Sequence, residues 1–271
     1  MIEQRRAELD ITITRAESQR FAHPLLLIHG LWTGSWIWAR MAGYLAHRGW
    51  ESWAVDWPDR VDPGATATVS DVVERCVRIV ATMDAPPIVV AHDAGATVAL
   101  GIARVVAAPA IVLMAPVLPG YGMRRLLLGG IGRAAACVLG RRLGPPVGAA
   151  AGALFHGIDA TTKASIQSRV VDLPGRLLYE LLRGGESRPE GAGRPPLLVV
   201  SGGSDAVVPP ESAGAIARDL DGAIIVPPGG HWLPVEAAWR DTTGQLHRWI
   251  VHTLGDPLLL FREEDGDDGA P

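Results

Sequence analysis

Three positions in this 271-residue chain carry side chains of types that, in this order, form and break a covalent bond. Asp93 is the centre of Ala91-His92-Asp93-Ala94-Gly95. Small residues two before and two after it suit a strand that turns abruptly into a helix, because larger ones would collide with the strained backbone. The central side chain then stands at the tip of the turn. Beneath it lie the free N–H groups and positive dipole end of the helix. The plainer reading is that Asp93 caps helix 94–107. Asp205, in Ser201-Gly202-Gly203-Ser204-Asp205-Ala206-Val207-Val208-Pro209, follows a late apolar run, where an acid that orients a histidine would sit. Gly-Gly-Ser-Asp is equally a turn sequence. His231, in Pro228-Gly229-Gly230-His231-Trp232-Leu233-Pro234, follows the last apolar run, and a lone loop histidine is more often structural than catalytic. The order nucleophile, acid, histidine joins the three.

A serine needs a base to become a nucleophile, whereas a carboxylate is already ionised near neutral pH. Attack by Asp93 on an acyl carbon would give an anhydride. Attack on a saturated carbon bearing a leaving group gives an alkyl ester on the enzyme. His231, held by Asp205, would then take a proton from water, and that water would cleave the ester at the Asp93 carbonyl.

These residues need elements to position them. Residues 8–14 alternate like a half-buried edge strand, and 24–28, 51–56, 87–91, 110–117, 196–201 and 223–227 read as further strands. Between them lie helical stretches at 36–48, 70–83 (capped at Ser70), 94–107, 210–220 and near 235–253. Strands alternating with such helices imply an α/β protein with a mostly parallel sheet covered on both faces. Chemistry gathers at the carboxyl edge of such sheets, which is where Asp93, Asp205 and His231 fall. Residues 118–194 break the alternation with helical pieces separated by Gly and Pro. They read as an inserted helical lid between core segments 1–117 and 195–260. The acidic tail 261–271 is expected to be disordered.

The chain resembles the α/β-hydrolase superfamily over residues 8–255. His29-Gly30-Leu31-Trp32 is similar to the family's HG loop after its third strand, and Asp93, Asp205 and His231 stand at its triad positions. The resemblance implies an oxyanion hole made by the backbone N–H groups of Leu31 and Ala94. An aspartate nucleophile resembles the epoxide hydrolase and haloalkane dehalogenase branch. Haloalkane dehalogenases hold the halide with a Trp after the nucleophile and often an Asn after HG; here those positions are Ala94 and Leu31. Fluoroacetate-type dehalogenases place Arg after the nucleophile, where this chain has Ala94-Gly95-Ala96-Thr97. Epoxide hydrolases use two lid tyrosines, and this lid has Tyr121 and Tyr179. Trp32, Trp36 or Trp232 would supply an indole N–H to a substrate or leaving group. The aromatic cluster Trp32, Trp36, Trp38 is otherwise core and pocket wall, His92 reads as structural, and His156 is a lid residue of open orientation.

Composition narrows the classes. An apolar fraction of 48% excludes a disordered chain, and 25 basic against 29 acidic residues argue against a nucleic-acid partner. Two cysteines, Cys76 and Cys137, exclude a disulfide framework and fit a cytoplasmic protein. The longest greasy tract, 126–139, is too broken to span a membrane. No nucleotide loop or metal pattern appears, so no cofactor is expected. The apolar lid, with Leu126-Leu127-Leu128 and Ala149-Ala150-Ala151, favours a small apolar substrate. The leading expectation is an epoxide hydrolase-like enzyme. A non-covalent acid–base catalyst (lyase, cyclase or isomerase), a haloalkane dehalogenase and a non-catalytic ligand-binding protein stay open as alternatives.

Overall fold

A computed structural model describes residues 2–6, 9–57, 68–121, 135, 138–183 and 194–255. The acidic tail, Leu126-Leu127-Leu128 and Cys137 lie outside them. The chain opens with β1 (Ile2–Arg6), β2 (Leu9–Thr14) and β3 (Leu25–Ile28), then a 3-10 turn (Ser35–Trp38) leading into α1 (Ala39–His47). It continues through β4 (Ser52–Val55), α2 (Val69–Val80), β5 (Ile88–His92), α3 (Gly95–Ile102) and β6 (Ile111–Met114). Among the described residues, α4 (Gly148–Leu154), α5 (Ala160–Gln167) and α6 (Gly175–Arg183) follow. The alternation then resumes with β7 (Leu197–Val200), α7 (Pro210–Asp219), β8 (Ala223–Ile225) and α8 (Trp239–Leu254).

The strands form one eight-stranded sheet in the order β1-β2-β4-β3-β5-β6-β7-β8. β1 with β2 and β2 with β4 are antiparallel, and every other pairing is parallel. The register runs straight through the centre: Leu27 pairs with Val90, Val90 with Val112 and Val112 with Leu198. The central strands are buried throughout because both faces are covered, which is why they read as continuous apolar runs. Their side chains part by the two-residue period of a strand. Leu26, Ile28, Val89, Ala91, Ile111, Leu113 and Val199 join one core cluster with Val72, Cys76 and Ile79 of α2, Val98 of α3, and Leu177, Leu178 and Leu181 of α6. Leu25, Leu27, Ile88, Val90, Val112, Leu198 and Val200 join the other, with Met41 and Leu45 of α1 and Leu246 and Ile250 of α8.

Three local expectations are corrected. β2 is not the edge, because β1 pairs outside it. The cap of α2 is Thr68, whose hydroxyl accepts from the Asp71 N–H while the Asp71 carboxylate accepts from the Thr68 N–H, a reciprocal box that Ser70 does not make. The stretch 94–107 carries a shorter helix than expected, since α3 ends at Ile102 in a turn.

Candidate active site

Asp93 stands in the turn between β5 and α3 with φ 55°, a conformation few non-glycine residues adopt. The turn is wedged against the HG loop: a Cβ on Gly95 would lie 2.4 Å from the His29 carbonyl oxygen, so no larger side chain fits there. Asp93 does not cap α3. The N-cap is Ala94, with no side-chain cap bond, and the Asp93 carboxylate turns instead toward the loop after β3. There the Leu31 N–H donates to Asp93 Oδ2 at 2.9 Å. The other oxygen, Oδ1, is buried and accepts no hydrogen bond among the described residues.

Opposite Oδ1, at 3.8 Å, is Nε2 of His231, also buried and without a partner among the described residues. The far ring nitrogen, Nδ1, lies 2.9 Å from Asp205 Oδ2. Asp205 is fixed in turn, because its Oδ1 accepts from the N–H groups of Val207 at 2.8 Å and Val208 at 3.0 Å. The Asp205 loop and the His231 loop run backbone against backbone, with Ser204 N–H donating to Gly229 O at 2.8 Å. A Cβ on Gly202 would lie 2.1 Å from Gly230 O, so only glycine permits that approach. The structure thus brings Asp93, His231 and Asp205 together, all at most 3% exposed.

Charge follows the geometry. Burial by itself lowers the pKa of His231, but the charge and hydrogen bond of Asp205, joined by Asp93, outweigh it and raise the pKa to about 10. Burial works against ionised Asp205, yet the His231 charge and hydrogen bond and the two backbone amides hold its pKa below the usual carboxylate range. His92 behaves oppositely: burial, then the neighbouring His231 charge, push its pKa down to about 4. Its Nε2 lies 2.8 Å from the His231 carbonyl oxygen, so a neutral His92 with its proton on Nε2 props the backbone of the His231 loop.

The candidate leaving-group donors fare differently. The Trp32 indole N–H donates to Leu143 O at 3.0 Å and that of Trp232 to Leu154 O at 2.8 Å, so both tie the site loops to the 118–194 segment. The Tyr121 hydroxyl donates to Asp219 Oδ2 at 2.5 Å and is engaged there, not at Asp93. Tyr179 on α6 is half-buried against the first core cluster. Trp36 and Trp57 keep buried indole N–H groups without acceptors among the described residues. Trp57 was not signalled by the sequence, because it stands two residues past the end of β4 as one aromatic among several. His29 is a loop strut: its Nε2 accepts from the Trp57 N–H at 3.1 Å. Among the described residues no group of three or more His, Cys, Asp or Glu side chains is placed to hold a metal ion, and no helix is long and apolar enough to cross a membrane.

The strand order, the strained turn at Asp93 and the His231–Asp205 pair define a class of protein that comparison makes explicit. A model described as the alpha/beta hydrolase family matches residues 25–243, and the chain belongs to that family of enzymes. No curated protein sequence matches the chain. Among solved structures, it is similar to a thermophilic esterase from Thermogutta terrifontis (17% identity, 91% of this chain and 94% of that one covered, TM-score 0.62). It is also similar to a monoglyceride lipase from Saccharomyces cerevisiae (14% identity, 89% and 91% covered, TM-score 0.69). A putative non-heme bromoperoxidase from Mycobacterium tuberculosis is a third (19% identity, 89% and 95% covered, TM-score 0.64). At these identities the likeness is one of fold.

Proposed function

We propose that this α/β-hydrolase acts through an alkyl ester on Asp93, most like an epoxide hydrolase, on a small apolar organic substrate. One observation carries the reading: the Asp93 carboxylate has one oxygen held by the Leu31 N–H and the other facing His231 with no hydrogen-bond partner among the described residues. The held oxygen becomes the carbonyl oxygen of the ester. It already occupies the place where negative charge develops when water attacks, where the Leu31 amide stabilises that oxyanion and the Ala94 amide is proposed as the second donor. The free oxygen is the attacking atom.

The steps balance. Asp93 Oδ1 bonds to an epoxide carbon, the C–O bond breaks, and the opening oxygen takes a proton from the imidazolium of His231. Loss of that proton leaves His231 neutral, and loss of the Asp93 charge removes one of the influences that kept it protonated. Neutral His231 then takes a proton from water, whose oxygen attacks the Asp93 carbonyl carbon. Collapse expels the diol oxygen, which takes the proton from His231, and the carboxylic acid of Asp93 returns a proton to the imidazole. An opening epoxide needs the first proton and a departing halide does not, so a protonated resting His231 favours an epoxide over an alkyl halide.

The test is mass spectrometry of the unmodified enzyme, quenched in acid during turnover of whichever of styrene oxide, 1-bromobutane and 4-nitrophenyl acetate it consumes. An adduct on Asp93, or heavy oxygen from labelled water left in Asp93 after repeated turnover, is expected; turnover that leaves neither overturns the covalent step. The Asp93–His231 pair also suits a second reading, acid–base catalysis with no ester. Multiple turnover in heavy-oxygen water separates them, because only the covalent route labels Asp93.

A further inference from the structure

We propose that Glu236 is a positioning residue that holds His231 in register with Asp93 and Asp205 by gripping the peptide on either side of it. Glu236 lies five residues after the histidine and is 7% exposed. Its Oε2 accepts from the Gly230 N–H at 2.5 Å and its Oε1 from the Trp232 N–H at 2.6 Å. One carboxylate therefore bridges the two amides that flank His231. Both oxygens act as acceptors, as an ionised carboxylate requires.

The grip matters because the rest of the loop is glycine-rich and offers few side-chain anchors. Gly229 has φ 131°, and a Cβ there would lie 2.9 Å from Glu236 Oε2. A Cβ on Gly230 would lie 3.3 Å from Glu236 Oε1. The loop is thus cut to let this carboxylate reach its backbone. With Nδ1 on Asp205 and the carbonyl on His92, Glu236 completes a set of fixings that leaves Nε2 as the free end of the ring. Burial raises the pKa of Glu236, against the two amides and the His231 charge. The titratable groups facing His231 are then Asp205, Asp93, His92 and Glu236.

The role rests on His231 acting as an acid or base but not on the covalent reading, and the test keeps the two apart. Glu236→Gln keeps the shape of the side chain but turns an N–H donor toward one of the two amides. Its His231 imidazole is followed by nuclear magnetic resonance without substrate and assigned by comparison with His231→Gln. The expected result is a folded protein in which the Nδ1 proton signal loses its strongly hydrogen-bonded position and the imidazole titrates at lower pH than in the native chain. Unchanged signal and midpoint overturn the proposal. If the Gln variant does not fold, Glu236→Leu fills the same space without acceptors and is judged by the same two readouts.

With a turned-over epoxide, ester formation and ester hydrolysis both draw on His231, so both should slow on the order of ten-fold or more. Loss in neither step overturns the positioning role. Turnover that leaves neither adduct nor heavy oxygen on Asp93 would defeat the covalent reading alone and leave the resonance result to decide Glu236.

Discussion

At Asp93 the backbone and the side chain make different demands. The backbone needs a residue that tolerates φ 55°, and the chemistry needs a carboxylate. Asn meets the first demand and not the second, since asparagine is among the few residues that enter the left-handed region readily. Asp93→Asn is therefore expected to melt close to the native chain and to lose turnover by at least about a thousand-fold, because the proposed nucleophile is gone. Asp93→Ala should lose turnover equally and melt lower, by about 1–2 kcal/mol of backbone strain. Calorimetry beside an initial-rate assay separates the two demands; Ala melting above Asn would sink the argument. Asp205→Asn tests the other end of the relay. The amide keeps the shape but removes the charge that holds the imidazolium, so the His231 pKa should fall and turnover should drop by roughly a thousand-fold or more.

The elements show what the sequence could and could not reveal. The turn at Asp93 was legible because its neighbours must be small, and Gly95 is small for the reason expected, a carbonyl 2.4 Å from where its Cβ would be. The central strands were legible because burial on both faces demands unbroken apolar runs. β1 was not, because its residues, IEQRR, carry no apolar alternation and it joins the sheet by pairing with β2. Glu236 was hidden for a different reason: its partners are main-chain amides, which leave no trace in residue types. The same holds for Trp32 and Trp232, whose indoles bind the carbonyls of Leu143 and Leu154. Trp232→Phe tests that tie. It leaves the Leu154 carbonyl unpaired and is expected to cost about 1–3 kcal/mol. Amide exchange should quicken in α4 and in the His231 loop together. Exchange that changes in only one of them would show that the two segments are not coupled through this bond.

For the whole molecule, the buried histidines shape how stability depends on pH. His231 has a folded pKa of about 10, above its ordinary value near 6.5, so it binds its proton more tightly in the folded chain. Its contribution is fully present below pH 6.5 and is lost as pH rises toward 10. His92 has a folded pKa of about 4, below that same ordinary value, so the unfolded chain binds the extra proton between pH 6.5 and 4. Stability therefore falls as pH drops through that window. Asp205 adds to the acid side, since a lowered carboxylate pKa makes a contribution that vanishes on protonation. The chain is expected to be most stable near pH 6 to 7, where neither histidine has yet lost its advantage. Urea unfolding at a series of pH values measures the curve, and two variants assign its limbs. His231→Gln should flatten the alkaline fall and leave the acid one. His92→Gln, whose amide can still reach the His231 carbonyl, should flatten only the fall between pH 6.5 and 4. An alkaline limb that persists in His231→Gln would mean that the imidazole is not held by the Asp205 and Asp93 charges, and the proton cycle built on its resting charge would fall with it.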